Sequence, residues 1–382
     1  MQLKYRNKRR GIAFLLVCFV LVFCSAFDVE AKRSEKDIEE EVEEILSGMT
    51  QKEKIGQLFM VTPNALGAQT KVTAAMKTKY KKYPVGGIIL MGANISTPAQ
   101  LKKFTKNIQK LTPIDAPILI ATDEEGGRVA RIGQKRNFSV TRYPDMRTIG
   151  NSGSTKKAMK AAEGIGAYLK KYGINCDLAP VADIYSNPKN TVIGNRAFGT
   201  NAKVVSKMVK AQVKGFHKKK ILCCLKHFPG HGNTKGDSHK GSVSVNKTWK
   251  AMKKQEIKPF QAGIDAGVDM VMVAHISCKK VTKSKVPATL SYKMITGKLR
   301  KELGFNGVVI TDSMAMGAIS NHYSSSQAAV KAIKAGADIV LSPVDLKTAF
   351  RGVEKAVKNG TITQEELDEH VRRILRMKLK YK

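Results

Sequence analysis

Acidic side chains are scarce in this 382-residue chain, with 31 Asp and Glu against 67 Lys and Arg and a formal net charge of +36. So basic a chain attracts polyanions, and nucleic acid is the first class to weigh. The features that accompany nucleic-acid binding are missing: there is no zinc-finger spacing, no aromatic pattern of an RNA-recognition sheet and no basic arm. The lysines are instead dispersed, as at Lys156, Lys157, Lys218, Lys219, Lys220, Lys253 and Lys254. Nucleic acid is therefore not expected as a partner. An anionic cell wall or membrane surface fits the charge, as does a lysine-rich proteome. Cysteine is also sparse. Of six, Cys18 and Cys24 fall in the N-terminal segment, leaving Cys176, Cys223, Cys224 and Cys278. Adjacent Cys223 and Cys224 point to opposite faces of a strand. These residues read as buried thiols, not as a disulfide framework. HExxH and paired CxxC spacings are absent, so no metal is expected. No dinucleotide-type glycine fingerprint follows the first strand-like run, which argues against an open doubly wound sheet. No linker, repeat or low-complexity segment divides the chain.

The N-terminus carries a targeting pattern. Lys4, Arg6, Lys8, Arg9 and Arg10 precede the apolar run Gly11 to Phe27, and Val29-Glu30-Ala31 offers a small-x-small cleavage site. Residues 1–31 read as a secretory signal peptide, with an uncleaved anchor as the alternative. Lipidation of Cys24 fits less well, because bulky Phe23 precedes it. The expected location is outside the cytoplasm, and removal of the leader would leave a charge of about +33. Residues 32–49 read as an acidic helical lead-in and 50–382 as the folded domain.

Within that domain, short β-rich runs alternate with helical stretches, the pattern of βα units and a parallel sheet. The runs are Leu58 to Val61, Gly87 to Met91, Ile118 to Asp123, Cys176 to Asp183, Ile221 to Phe228, Met270 to Ile276, Val308 to Asp312 and Ile339 to Ser342. Eight such units in about 350 residues predict a single closed (β/α)8 TIM barrel of the α/β class. Thr50 with Glu53 and Thr363 with Glu366 form capping boxes, the second opening a last helix, Gln364 to Leu379. Barrel chemistry sits at the C-terminal ends of the strands. Polar residues stand at those ends here: Asp123, Asp183, Lys226 with His227, His275, Asp312 and Ser342.

One stretch concentrates the chemistry, KHFPGHGNTKGDSH from Lys226 to His239. A buried strand runs into Pro229, Gly230, Gly232 and Gly236, so His231, Asp237 and His239 ride on a loop at the strand end. A carboxylate near an imidazole fixes its tautomer and stabilises its cation, so Asp237 and His239 fit a general acid/base pair. Zinc binding and a plain surface loop are the other readings of the same residues. His217, beside three lysines, reads as surface. His275 fits the rim and the core equally. Arg128 and Glu125 read as a buried pair holding the Gly126-Gly127 turn, outside the site. Asp312 fits either an N-cap of a helix Ser313 to Ile319 or a catalytic carboxylate.

KHFPGH followed by DSH resembles the signature of family-3 glycoside hydrolases, in their β-N-acetylglucosaminidase (β-hexosaminidase) branch. LSGMTQKEKIGQLFMV (Leu46 to Val61), TDEEGGRVARI (Thr122 to Ile132), GNRAFG (Gly194 to Gly199) and ITDSMAM (Ile310 to Met316) are similar to further family motifs, in the family's order. The resemblance covers nearly all of the chain after Ser47. It implies a TIM barrel without the second α/β sandwich domain of the β-glucosidase branch. It also implies a retaining exo-β-N-acetylglucosaminidase acting on peptidoglycan fragments (muropeptides) or related glycans, without a cofactor. By the same resemblance Asp312 is the nucleophile and His239, partnered by Asp237, the acid/base. Asp123, Arg131, Arg196, Lys226 and His227 bind the terminal sugar, and His231 orients the loop or touches the acetamido group. A β-glucosidase or β-xylosidase and a phosphorylase of the same family are the nearest alternatives. A non-catalytic wall-binding protein would be expected to have lost Asp312 or His239, and both are present. Family members often carry Asp or Gln at the position of Glu124 and a second Asp at that of Ser313, which leaves fine specificity open.

Overall fold

The computed structural model describes residues 34–234 and 241–382. Up to Glu40 these form the first turns of a helix, Glu35–Gly48, and Glu41–Lys382 is one compact unit. Within that unit eight parallel strands follow one another around a barrel: β1 Phe59–Val61, β2 Gly87–Ile89, β3 Leu119–Thr122, β4 Cys176–Asp177, β5 Leu222–Phe228, β6 Met270–Val273, β7 Val308–Thr311 and β8 Val340–Leu341. Each strand hydrogen-bonds to the next. The ring closes where β8 pairs with β1 (Phe59 opposite Val340) and a parallel bridge joins Ile310 to Ile339. All eight expected runs are therefore strands of the barrel. The regular ladders are shorter than the apolar runs, yet the run ends stay bonded to their neighbours: the Leu178 N–H donates to the Thr122 carbonyl at 2.9 Å, the Ala182 N–H to Lys226 at 2.7 Å and the Ser342 N–H to Met60 at 2.8 Å.

The outer layer follows from sequence period. Helix Ala202–Lys218 buries Val205, Met208, Val209, Val213 and Phe216, a three-to-four residue spacing that lays one apolar stripe on the sheet. Side-chain caps start most of the long helices. Thr50 and Thr363 form the two expected capping boxes, and the last helix runs Gln364–Leu379 as the sequence predicts. Each such cap contributes about 1 kcal/mol. Cys176, Cys223, Cys224 and Cys278 are buried free thiols. Among the described residues no helix is long and apolar enough to cross a membrane. The leader, residues 1–31, lies outside the described residues.

The base of the barrel, at the strand N-termini, is tied by buried carboxylates. Asp338, just before β8, accepts Arg300 Nη2, His370 Nδ1 at 2.7 Å, Arg373 Nη1 at 3.1 Å and the Val309 N–H at 2.7 Å. Burial would raise its pKa, but the Arg300, His370 and Arg373 side chains hold it far below the usual carboxylate range. Asp269, just before β6, plays the same part toward Lys380 and His217. The C-terminal segment is thereby locked across the barrel floor, which leaves the opposite rim for the loops.

Candidate active site

The strand C-termini open into a cavity of about 640 Å³, lined by Asp123, Glu125, Arg131, Arg196, Lys226, His227, His231 and Asp312 on its polar side. Ile89, Met91, Met316, Leu341 and Val344 form an apolar side. The volume lies within the roughly 300–1,000 Å³ of small-ligand sites. A polar floor beside an apolar wall suits a ligand with many hydroxyls and one or two apolar faces.

The floor is built outward from β3 and β5. Asp123 follows β3 directly, and Lys226 and His227 are consecutive residues of β5. The Lys226-His227 peptide bond is cis, and both side chains line the cavity. Lys226 Nζ is 2.7 Å from Asp123 Oδ1 and 2.7 Å from Glu125 Oε1. Arg196 donates to both oxygens of Glu125, at 2.7 and 2.9 Å, and Arg131 Nη2 lies 3.2 Å from Asp123 Oδ2. Two carboxylates and three cations thus form one network. Burial alone would raise the pKa of both acids. Arg196 and Lys226 nonetheless draw Glu125 far down, and Lys226 and Arg131 lower Asp123. Both remain anions that can accept ligand hydroxyls.

A second group comes from the segment after β4. Asp183 Oδ2 lies 2.7 Å from His227 Nδ1, and Asp183 Oδ1 accepts the His231 N–H at 2.6 Å. That carboxylate fixes the His227 ring and pins the start of the loop that His231 opens. The His231 ring is buried against Thr234 Oγ1 at 2.8 Å, and burial with neighbouring His227 lowers its pKa. Gly232 lets this loop pass close to its neighbour: a Cβ there would meet the Ile184 carbonyl oxygen at 2.0 Å.

Asp312 follows β7, its N–H bonded to the Val273 carbonyl at 2.9 Å. Its Oδ1 accepts the Ser313 N–H at 2.8 Å, and among the described residues no lysine or arginine stands within ion-pair distance of it. Burial raises its pKa, but the His275 and His227 rings and the Ser313 N–H lower it on balance, so it is an anion. His275 is itself buried, with Nδ1 2.8 Å from Thr289 Oγ1 and Nε2 2.9 Å from the Ser313 carbonyl oxygen. Asp312, beside which no lysine or arginine stands among the described residues, faces the same cavity as the Asp123–Lys226–Glu125–Arg196 network.

The model of the glycosyl hydrolase family 3 N-terminal domain matches residues 50–377. The chain belongs to glycosyl hydrolase family 3. Among curated proteins it is 34% identical over 336 residues to "Beta-hexosaminidase A" of Pseudoalteromonas piscicida, covering 82% of this chain and 56% of that one. It is 31% identical over 341 residues to "Beta-hexosaminidase LpqI" of Mycobacterium tuberculosis, covering 86% and 83%. Among solved structures, a family 3 β-N-acetylglucosaminidase from Paenibacillus sp. str. FPU-7 superposes with a TM-score of 0.82 at 36% identity, over 87% of this chain and 63% of that one. The chain thus spans little more than half the length of the Pseudoalteromonas protein.

In this family 3 barrel, seven of the nine residues expected at the site from the sequence line one cavity: Asp123, Arg131, Arg196, Lys226, His227, His231 and Asp312. Asp237 and His239 lie outside the described residues. Three expectations change. Glu125 does not pair with Arg128: it enters the cavity between Lys226 and Arg196, while Arg128 reaches the carbonyl oxygens of Thr191, Val192 and Ile193. The turn is held instead by Asp145, whose Oδ1 accepts the Arg128 N–H at 3.1 Å. Gly127 is obligatory there, at φ +54 and with a Cβ 1.9 Å from that oxygen. His217 is not free surface, since its Nε2 meets Asp269 Oδ2 at 2.9 Å. No helix Ser313 to Ile319 forms for Asp312 to cap; the short helix there is Gly317–Ser320.

Glu124, like Asp183, is a residue that sequence reasoning left without a role. It is buried, and its two oxygens accept the N–H groups of Arg131, Ile132 and Gly133 at 2.7 to 2.9 Å and the Tyr168 hydroxyl at 2.8 Å. It therefore folds the hairpin that aims Arg131 at Asp123. The signal was available in its place within the motif, one residue after a strand-end aspartate, but its partners come from main chain and from a distant helix.

Proposed function

We propose that this chain is a retaining exo-β-N-acetylglucosaminidase that removes terminal N-acetylglucosamine from peptidoglycan fragments or related glycans. The observation that carries the reading is Asp312, an anionic carboxylate with no lysine or arginine beside it among the described residues, facing the Asp123–Lys226–Glu125–Arg196 network across one cavity. In the first step Asp312 attacks the anomeric carbon, and the bond from that carbon to the leaving oxygen breaks. His239, with Asp237 as its partner, gives that oxygen a proton. In the second step His239 takes a proton from water, whose oxygen displaces Asp312 and regenerates the free carboxylate. Asp123 and Glu125 accept hydrogen bonds from hydroxyls of the bound sugar, while Lys226, Arg131, Arg196 and His227 donate hydrogen bonds to its oxygens. The apolar wall at Met91 and Met316 receives the acetamido methyl or the aglycone.

Residues 1–31 support export, and the net charge supports an anionic wall or membrane surface as the neighbour of the exported protein. The substrate reading is tested by comparing aryl N-acetylglucosaminide with aryl glucoside, each with and without inorganic phosphate. Faster turnover of the glucoside contradicts it, and a sugar phosphate product in the phosphate arm assigns the chain as a phosphorylase instead.

A further inference from the structure

At the floor of the barrel, on the side opposite the cavity, three side chains of different chemistry converge from three elements. His217 comes from the last turn of helix Ala202–Lys218, Cys223 from the start of β5 and Asp269 from the residue before β6. Cys223 Sγ is 3.6 Å from His217 Nε2 and 3.5 Å from Asp269 Oδ2, and the latter two are 2.9 Å apart. Zinc binds sulfur at about 2.3 Å and nitrogen or oxygen at about 2.0–2.2 Å. At tetrahedral angles those lengths put sulfur about 3.6 Å from nitrogen and oxygen, and nitrogen about 3.4 Å from oxygen. Two of the three observed separations match that face within 0.1 Å, and the third needs to open by about half an ångström.

We propose that His217, Cys223 and Asp269 form a zinc-class metal site that staples the base of the barrel. The surroundings orient the ligands. Asp269 Oδ1 is held by Lys380 Nζ, which turns Oδ2, itself bonded to the Cys223 N–H at 2.9 Å, toward His217 Nε2 and Cys223 Sγ as the oxygen that would meet the metal. The ring of Tyr381 packs edge-on against His217, with centroids 6.2 Å apart. Cys223 and Asp269 are closed to solvent, whereas the His217 side chain is 21% exposed, which provides the entry path and a fourth position for water. On binding, Zn²⁺ takes the place of the thiol proton, which leaves to solvent, and His217 binds through Nε2 with its hydrogen on Nδ1. The site is independent of the glycosidase reading.

The test uses the full chain, stripped with a chelator and titrated with Zn²⁺ against a chromophoric competitor, and with Co²⁺ followed by absorbance. One equivalent is expected, with a near-ultraviolet thiolate-to-cobalt band and a rise in Tm on zinc addition. Loss of an outer-shell partner alone costs about 10–100-fold in affinity. His217→Gln and Cys223→Ala should therefore weaken zinc by at least about tenfold, and Cys223→Ala should abolish the thiolate band. His217→Gln, at the more solvent-accessible ligand position, serves if Cys223→Ala does not fold. Absence of one-equivalent binding to the parent overturns the proposal. Equal zinc affinity in parent and variants also overturns it, because the metal then sits elsewhere.

Discussion

Replacing Glu125 by Gln tests the most consequential placement that the structure makes. Its carboxylate takes three charge-assisted contacts, from Lys226 Nζ and from Arg196 Nε and Nη2, all at 2.9 Å or less, with the Glu125 and Lys226 side chains each only 2% exposed. Gln keeps one acceptor oxygen and turns an amide N–H₂ toward a cation. Breaking one partner of a buried pair costs about 3–5 kcal/mol. Lys226 retains Asp123, so a loss of about 2–4 kcal/mol is expected. For a domain of this size that lowers Tm by about 3–6 °C. Arg196 and Lys226 also lose the group that aims them into the cavity, so KM for an aryl glycoside should rise at least about tenfold. The acid limb carries a sign. Arg196 and Lys226 hold the folded pKa of Glu125 far below its unfolded value, so its stabilisation is present above about pH 4.3 and lost as pH falls below that. The Gln variant should therefore lose less stability than the parent between about pH 4 and pH 2. Differential scanning calorimetry across pH and initial-rate kinetics read both effects. An unchanged Tm and KM would mean that Glu125 merely braces the adjacent turn, and the network described here would be wrong.

Lys378 is buried, bonded to Gln57 Oε1 at 2.6 Å, and burial pushes its pKa down to about 7. The unfolded chain thus binds one more proton between about pH 7 and pH 10.4, so stability should rise with pH over that window by up to about 2–5 kcal/mol. Urea titrations of Lys378→Met should show this slope flattened and the variant's relative advantage greatest below pH 7; parallel slopes in parent and variant would refute it. Replacing His239 by Ala should slow natural disaccharides far more than dinitrophenyl N-acetylglucosaminide, since an aryl oxide departs without a proton. An equal loss on both substrates removes His239 as the acid.

The barrel was legible because each strand is a short apolar run closed by a polar residue, and strand period and burial leave those runs few alternatives. The site was legible wherever a strand end delivers the side chain directly, as for Asp123, Lys226, His227 and Asp312. Glu125 was misassigned because Arg128, three residues away, is a nearer partner along the chain than Arg196, 71 residues on, which only the closed barrel brings alongside. Glu124 and Asp183 escaped a role because their partners are main-chain N–H groups and rings brought in by another strand, as His227, or by a distant helix, as Tyr168. The His217, Cys223 and Asp269 cluster has no local spacing to recognise: its members sit on a helix and two strand starts, with Asp269 46 residues from Cys223.

The central claim is that Asp312 forms the bond to the anomeric carbon. Incubation with a fluorinated N-acetylglucosaminide bearing a good leaving group, which slows release of the second step, should raise the intact mass of the protein by one fluorinated glycosyl residue. Peptide sequencing by mass spectrometry should then place the added mass on Asp312 in the segment Ile310 to Met316, and Asp312→Ala should take up none. Labelling of another carboxylate, or equal labelling of the Asp312→Ala protein, would contradict the account.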